Sequence, residues 1–182
     1  MTQEDRIPFV SRAAILGIMT AVTVIFTYVI RIPIAPTRGY LNFGDVAIYF
    51  AAFTFGPWTA FIAGGLGTAL TDIMAGYAQW APLTFFAHGL QGLAAGMLFK
   101  MFFKQETDNK YSFWLGLFLS GISGTIIMVL LYFTFGAMMF GAGASAVEIP
   151  GNLLQNGAGI VLGILLWSAV RKAYPPVSRF RW

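Results

Sequence analysis

Charged residues are so sparse along this chain that they leave uncharged runs of membrane-crossing length. Ala13 to Ile30 is 18 residues and Val46 to Thr71 is 26, against the roughly 20 apolar residues that cross a ~30 Å hydrocarbon core. Ile73 to Phe99 and Tyr111 to Val147 are also uncharged. Charged residues make up 10% of the 182 and hydrophobic ones 58%, where soluble domains carry roughly 25% charge. So few charges cannot cover a water-facing surface, and the mean hydropathy of +0.73 agrees. A soluble enzyme, a nucleic-acid binder and a disordered chain are all poor readings of this composition. The lack of cysteine removes disulfide scaffolds, thiol catalysis and cysteine metal sites. The chain reads as an integral membrane protein.

Breaks within the runs set the helix count. The first run follows Arg6 and Arg12, as a signal peptide would. It ends in Arg31-Ile32-Pro33 with no small-residue cleavage site, so it reads as a retained helix. Pro33 to Gly44, with two prolines, two glycines and Arg38, predicts an ordered loop. Gly56-Pro57 divides the next run into two helices, and Gly76 and Pro82 delay the following one to about Ala81. A glycine-rich part from Gly136 to Ala146 predicts a loop after the fifth helix. Proline is tolerated in a first helical turn, so Ile149-Pro150 opens the last one. The result is an all-α integral membrane fold of one domain, a six-helix bundle with spans near 13–31, 44–56, 58–74, 81–103, 112–136 and 149–171.

The basic residues test this count. With six helices, Arg6, Arg12, Lys100, Lys104, Lys110, Arg171, Lys172, Arg179 and Arg181 fall on one side, which is nine of the 11, and Arg31 and Arg38 lie opposite. Merging the helices at Gly56-Pro57 would carry the lysine loop across the membrane. Six helices with both termini cytoplasmic is the better account, the second helix being short and tilted or partly re-entrant. The C-terminal Arg179-Phe-Arg-Trp182 is expected to rest on anionic lipid headgroups with no specific role.

Polar residues inside apolar runs are the sharper signal, because a charge at mid-bilayer costs roughly 2.5–3.5 kcal/mol on insertion scales. Asn42 and Asp45 open helix 2, and Asp72 ends helix 3, followed by Tyr77 and Trp80. His88 and Gln91 share a face of helix 4. Glu148 precedes helix 6, where Asn152, Gln155 and Asn156 sit at i, i+3 and i+4. All map to the outer half of the bundle, where convergent amides, carboxylates and aromatics resemble a small-molecule pocket. Each has a plainer reading. Asn42 caps helix 2, and Asp45 is satisfied at that helix N-terminus. Asp72 pairs with Arg31 or Arg38, Tyr77 and Trp80 are interfacial anchors, and His88 is a core residue. No second histidine exists to build a metal site. The three amides of helix 6 are the hardest to explain without a ligand.

Small residues recur every four positions as Ala13, Gly17 and Ala21 in helix 1, Ala60, Gly64 and Thr68 in helix 3, and Gly116, Ser120 and Gly124 in helix 5. Such stripes let helices approach closely in lipid. Internal packing accounts for helices 3 and 5, whereas an edge helix can show its small face to another protein.

The series Gly39-Tyr-Leu-Asn-Phe-Gly-Asp45, Phe55-Gly-Pro-Trp58, Ala63-Gly-Gly-Leu-Gly67, Asp72, Gly76-Tyr77, Ala81-Pro82 and His88-Gly-Leu-Gln-Gly92 resembles the substrate-binding (S) components of energy-coupling factor (ECF) vitamin transporters. The likeness is nearest to the riboflavin and hydroxymethylpyrimidine branch and covers about residues 13 to 100. It implies six helices and an outward-facing vitamin site closed by the loop between helices 1 and 2. It also implies a small-residue face on helix 1, here Ala13, Gly17 and Ala21, that docks on a transmembrane coupling protein. Two ATPase subunits would drive the cycle, with the S component toppling in a bacterial plasma membrane to release its cargo. The family usually has alanine where Gly17 stands.

The chain has no GxxxxGK[ST] phosphate loop, so its energy must come from a partner. The expected function is high-affinity capture of a flat, mostly neutral heteroaromatic vitamin or precursor: hydroxymethylpyrimidine, a pyridoxine-like compound or riboflavin. No catalytic residue, metal, cofactor or nucleic acid is expected. Two alternatives are a membrane enzyme using Asp45, Asp72 and His88 as acid–base groups, and a self-contained secondary transporter. The latter is hinted at by the paired Leu90-Gln-Gly92 and Leu154-Gln-Asn-Gly157.

Overall fold

The computed structural model describes residues 8–104 and 110–181. Arg6, Glu106, Asp108 and Trp182 lie outside the described residues, as do the side chains of Lys104 and Lys110. The elements run α1 (Phe9–Val29), β1 (Arg31–Ile34), β2 (Gly39–Asn42), α2 (Gly44–Thr54), α3 (Pro57–Ala75), α4 (Ala81–Lys104), α5 (Lys110–Phe140), α6 (Ala142–Ala146) and α7 (Glu148–Ala173). A 3-10 helix over Pro175–Phe180 follows.

Three stretches among the described residues are long and apolar enough on their own to cross a membrane: Phe9–Val29, Tyr111–Phe140 and Ala142–Ala173. The bundle is greasy outside and polar inside. Leu115, Ile122, Ile126, Leu130, Leu154 and Leu165 are exposed, whereas Asp45, Asp72, His88, Gln91 and Asn156 are buried. A water-soluble fold sorts its residues the other way, but in lipid it is the polar groups that must find partners inside the protein. Within α1 the hydroxyls of Thr20, Thr23 and Thr27 donate back to carbonyls one turn earlier.

α2 is the unusual element. Its 11 residues give a length of about 16 Å, half the hydrocarbon thickness. Every residue but Phe50 is buried, so it is enclosed by α1, α3, α4 and α7. Close approach makes this possible: a Cβ on Gly159 of α7 would stand 2.5 Å from the Asp45 Cβ. The stripes of helices 3 and 5 are likewise internal. A Cβ at Gly64 would meet the His88 carbonyl at 3.2 Å, and one at Gly124 the Gln91 carbonyl at 2.7 Å.

Two segments differ from the sequence reading. The loop over residues 33–44 is largely a β-hairpin, with Arg31 opposite Asn42 and Ile34 opposite Gly39. Pro33 is tolerated because a two-stranded ribbon consists only of edges. In the turn Arg38 adopts a left-handed backbone at φ 53°. The helix after Lys110 also runs past Gly136 to Phe140, and the chain breaks at Gly141, where φ is 87°. Gly136 is a contact position rather than a breaker, because a Cβ there would lie 2.7 Å from the Ser145 Oγ of α6.

Candidate functional site

The hairpin lies across one end of the bundle and covers a cavity with about 410 Å3 of atom-free space, counting its mouth. The hairpin supplies Ile34, Gly39, Tyr40 and Asn42. Thr27, Asp72 and Thr84 come from α1, α3 and α4, Met128 and Tyr132 from α5, and Asn152 and Gln155 from α7; Trp80, His88 and Glu148 complete the lining.

Four tethers hold the hairpin down. The Tyr40 hydroxyl donates to Asp72 Oδ1 at 2.6 Å, and the Thr37 hydroxyl donates to Glu148 Oε1. The Trp80 indole N–H donates to the Arg38 carbonyl at 3.3 Å, and the Asn42 amide donates to Gln155 Oε1 at 2.7 Å. Burial and the Asp72 charge push the Tyr40 phenol well above its usual range, so it stays a donor. The ring of Tyr77 packs on that of Tyr40, with centroids 4.7 Å apart.

One wall is aromatic. Trp80 is buried between Phe140, 5.4 Å away and stacked, and Tyr132 at 5.8 Å. The hydroxyls of Thr84 and Tyr132 are 2.9 Å apart. Asp72 stands beside Thr84. It is 2% exposed, and its Oδ2 has no hydrogen-bond partner among the described residues. An orphaned buried carboxylate oxygen is costly, which makes it the atom in this cavity most in need of a ligand donor.

Beneath the cavity the remaining polar residues engage one another. Asp45 Oδ1 accepts from Gln91 Nε2 at 2.9 Å and lies 3.1 Å from His88 Nδ1, while Oδ2 accepts from Gln155 Nε2 at 2.8 Å. His88 Nδ1 is also 2.8 Å from Gln91 Oε1. Both neighbours are acceptors, so this nitrogen carries the proton. Asn156 Oδ1 accepts from Gln91 and from the Tyr49 hydroxyl, at 2.9 and 2.8 Å, and its Nδ2 donates to the Asn152 carbonyl at 3.0 Å. A buried network whose members bind one another this closely is rigid.

The candidates therefore form two tiers. Asn42, Asp72, Trp80, His88, Glu148, Asn152 and Gln155 line the cavity. Asp45, Gln91 and Asn156 sit behind it as support, and Tyr77 backs the hairpin. Several plainer readings change. Asp72 is bound by Tyr40 rather than by Arg31, whose guanidinium stacks on Tyr28 at 4.4 Å, or by Arg38. Trp80 is buried and is no interfacial anchor. Asp45 is held by three side chains rather than by its own helix end. Asn42 does serve its helix, its Oδ1 accepting from the Gly44 amide at 2.7 Å. Sequence reasoning missed Thr27, Tyr40, Thr84, Met128 and Tyr132. Tyr132, a polar group amid an apolar run, was the one with a usable signal.

On α1, Ala13, Gly17 and Ala21 are all exposed, and a Cβ built on Gly17 meets nothing within 4 Å. The buried face of this helix is Met19, Thr23 and Thr27. Gly17, Thr20, Ala21 and Val24 form with Ile62, Leu66 and Leu70 of α3 an open apolar groove.

A family model described as "ECF-type riboflavin transporter, S component" matches residues 10–172. A protein of Pyrococcus woesei described only as uncharacterized is 37% identical over 157 residues, covering 86% of this chain and 99% of that one. The thiamine precursor transporter HmpT of Lactococcus lactis subsp. cremoris is 32% identical over 158 residues, covering 86% of each chain. A solved structure of the S component of a bacterial ECF transporter shares the fold, with TM-score 0.67 at 22% identity over 91% of this chain and 98% of that one.

Proposed function

The chain belongs to the ECF-type riboflavin transporter S-component family, and from that premise we propose that it captures a small heteroaromatic vitamin precursor of hydroxymethylpyrimidine size in the cavity under the hairpin. As an S component it is the vitamin- or precursor-binding subunit of an ECF transporter and a multi-pass membrane protein. The observation that carries the choice of ligand is Asp72 Oδ2, buried against an aromatic wall and unpartnered among the described residues. A flat ring bearing an exocyclic amino group stacks beside Trp80 and Tyr132 and donates its N–H to that oxygen. Asn152 and Gln155 read the remaining ring edge, and His88, with Nδ1 engaged, offers Nε2. Asp45 and His88 are committed to each other, which argues for a supporting role and against acid–base turnover. The relative named as a thiamine precursor transporter supports the same ligand class.

Riboflavin is the second reading, favoured by the description of the family. A three-ring ligand would need the hairpin raised and the cavity enlarged.

The exposed Ala13, Gly17 and Ala21 face is the docking surface for the transmembrane coupling protein, and two ATPase subunits complete the transporter. Six crossings place both termini on the cytoplasmic side of a plasma membrane, with the hairpin outside. Calorimetric titration of purified protein with a pyrimidine, pyridoxine and riboflavin panel tests the ligand, alongside mass spectrometry of what co-purifies. Asp72→Asn should weaken binding of an aminopyrimidine about 10- to 100-fold, the worth of a charge-assisted hydrogen bond. Undiminished affinity in that variant, or binding of riboflavin alone, would overturn the assignment.

A further inference from the structure

A second cavity lies between the hairpin and α7. It has about 410 Å3 of atom-free space, counting its mouth, and its apolar lining is Ile30, Ile32, Leu41, Phe43, Leu154 and Ala158. Ile30, Ile32 and Leu154 are exposed, so this groove opens onto the apolar exterior of the bundle. Two residues, Asn42 and Gln155, line both the groove and the ligand cavity and so form the partition between them. The Asn42 side chain is held by its own helix start, at Gly44. Gln155 is buried and held at both ends of its amide. Its Oε1 accepts from the Asn42 amide at 2.7 Å, and its Nε2 donates to Asp45 Oδ2 at 2.8 Å. A carboxamide nitrogen carries two hydrogens, so one remains for the edge of a ligand. The amide cannot swing aside without breaking both of these bonds, and a buried polar group left short is costly. One turn earlier in α7 a Cβ at Gly151 would lie 3.1 Å from Leu41 Cδ1. There β2 and α7 are in close contact, and separation of the two cavities falls to the Gln155 side chain next along the helix.

On the basis of the ligand class proposed above, we propose that Gln155 is a specificity-determining residue that sets the size limit of the ligand. Its amide closes the cavity towards the groove, so a pyrimidine with a short substituent on that edge fits and one with a longer alkyl chain is turned away. Shortening the side chain joins the two cavities. The alkyl chain of a larger ligand then passes between β2 and α7 and lies on Ile32, Leu41, Leu154 and Ala158. Each methylene buried there is worth about fourfold in affinity. Forced into the closed cavity, the same methylene meets the penalty of overpacking instead.

The test is calorimetric titration of the purified full chain with 4-amino-5-hydroxymethylpyrimidines carrying methyl, ethyl or propyl at ring position 2 or 6, the edge away from the amino group. Wild-type affinity should fall about 10-fold from methyl to propyl in both series. Gln155→Ala gives up the bonds to Asp45 and Asn42, so it should bind the methyl compounds more weakly. Its order of preference should nevertheless reverse, with propyl about 10-fold tighter than methyl in one series, the gain from two methylenes. Gln155→Asn, one methylene shorter with its amide kept, should move the limit to ethyl, and it serves if the alanine variant does not fold. Adding Ala158→Leu fills the groove and should cancel the reversal. Thr37→Val releases a different tether of the hairpin and leaves the partition in place, so it should keep the wild-type order. Four results would overturn the size limit while leaving the ligand class standing: wild type binding propyl as tightly as methyl, an unchanged order in both Gln155 variants, a reversal that survives Ala158→Leu, or the same reversal in Thr37→Val. If wild type binds none of these pyrimidines, the ligand class itself falls, and the size limit with it.

Discussion

Removing the Tyr40 hydroxyl isolates one tether of the hairpin without touching the cavity floor. At 2.6 Å from Asp72 Oδ1 this bond lies in the 2.5–2.7 Å range of hydroxyl donors to ionised carboxylates, whose worth is roughly 1.5–3 kcal/mol. Tyr40→Phe keeps the ring packed on Tyr77 and removes the hydroxyl donor from Asp72 Oδ1. The closed hairpin loses that energy relative to the open one, while the Thr37, Arg38 and Asn42 tethers persist. If opening limits release, ligand dissociation should quicken by about 10- to 100-fold with little change in association, since affinity changes at one site fall mainly on the off-rate. Stopped-flow fluorescence reads this directly, because Trp80 lies in the cavity wall. The raised Tyr40 phenol remains protonated through pH 9, so the wild-type off-rate should not climb with pH in that range on its account. An off-rate within threefold of wild type would refute the tether. A slowed association with unchanged dissociation would mean that Tyr40 guides the ligand in rather than holding the hairpin closed.

Gly17→Leu fills an outward-facing position where a Cβ meets nothing. It should leave ligand titration unchanged and abolish co-purification with the coupling protein; loss of ligand binding would mean that the stripe packs internally. Gln91→Leu strips bonds from Asp45, His88 and Asn156 together. It should lower stability by about 2–4 kcal/mol, seen as a fall in Tm in detergent, the combined cost of several buried groups left short. Gly159→Ala sets a methyl 2.5 Å from the Asp45 Cβ. It should cost about 1–3 kcal/mol of stability by overpacking and weaken ligand binding as α2 shifts.

Charge spacing made the helical fold legible, since a chain with so few charges has little choice of solvent. Periodicity also placed Asn152, Gln155 and Asn156 on one face. It could not say that Asn156 turns inward to Gln91 and Tyr49 while its two companions line the cavity, because depth is set by neighbouring helices. The hairpin was hidden for a local reason: each strand is four residues long and one contains Pro33, so alternation had no room to register. Tyr40, Thr84 and Tyr132 escaped because a hydroxyl on a hydrophobic body looks the same at a membrane surface as in a pocket. Trp80 was open to the anchor reading for that reason, and burial decides against it.

The enclosure of α2 has a bearing on biosynthesis. This helix leaves the ribosome early, yet Asp45 meets Gln155 and Asn42 meets the same side chain only once α7 has been made. Until then Asp45 Oδ2 goes without its Gln155 donor, and the hairpin has only two of its four tethers, those through Asp72 and Trp80. Completion of the final helix is thus the step that adds the Glu148 and Gln155 tethers and closes the remaining wall of the cavity.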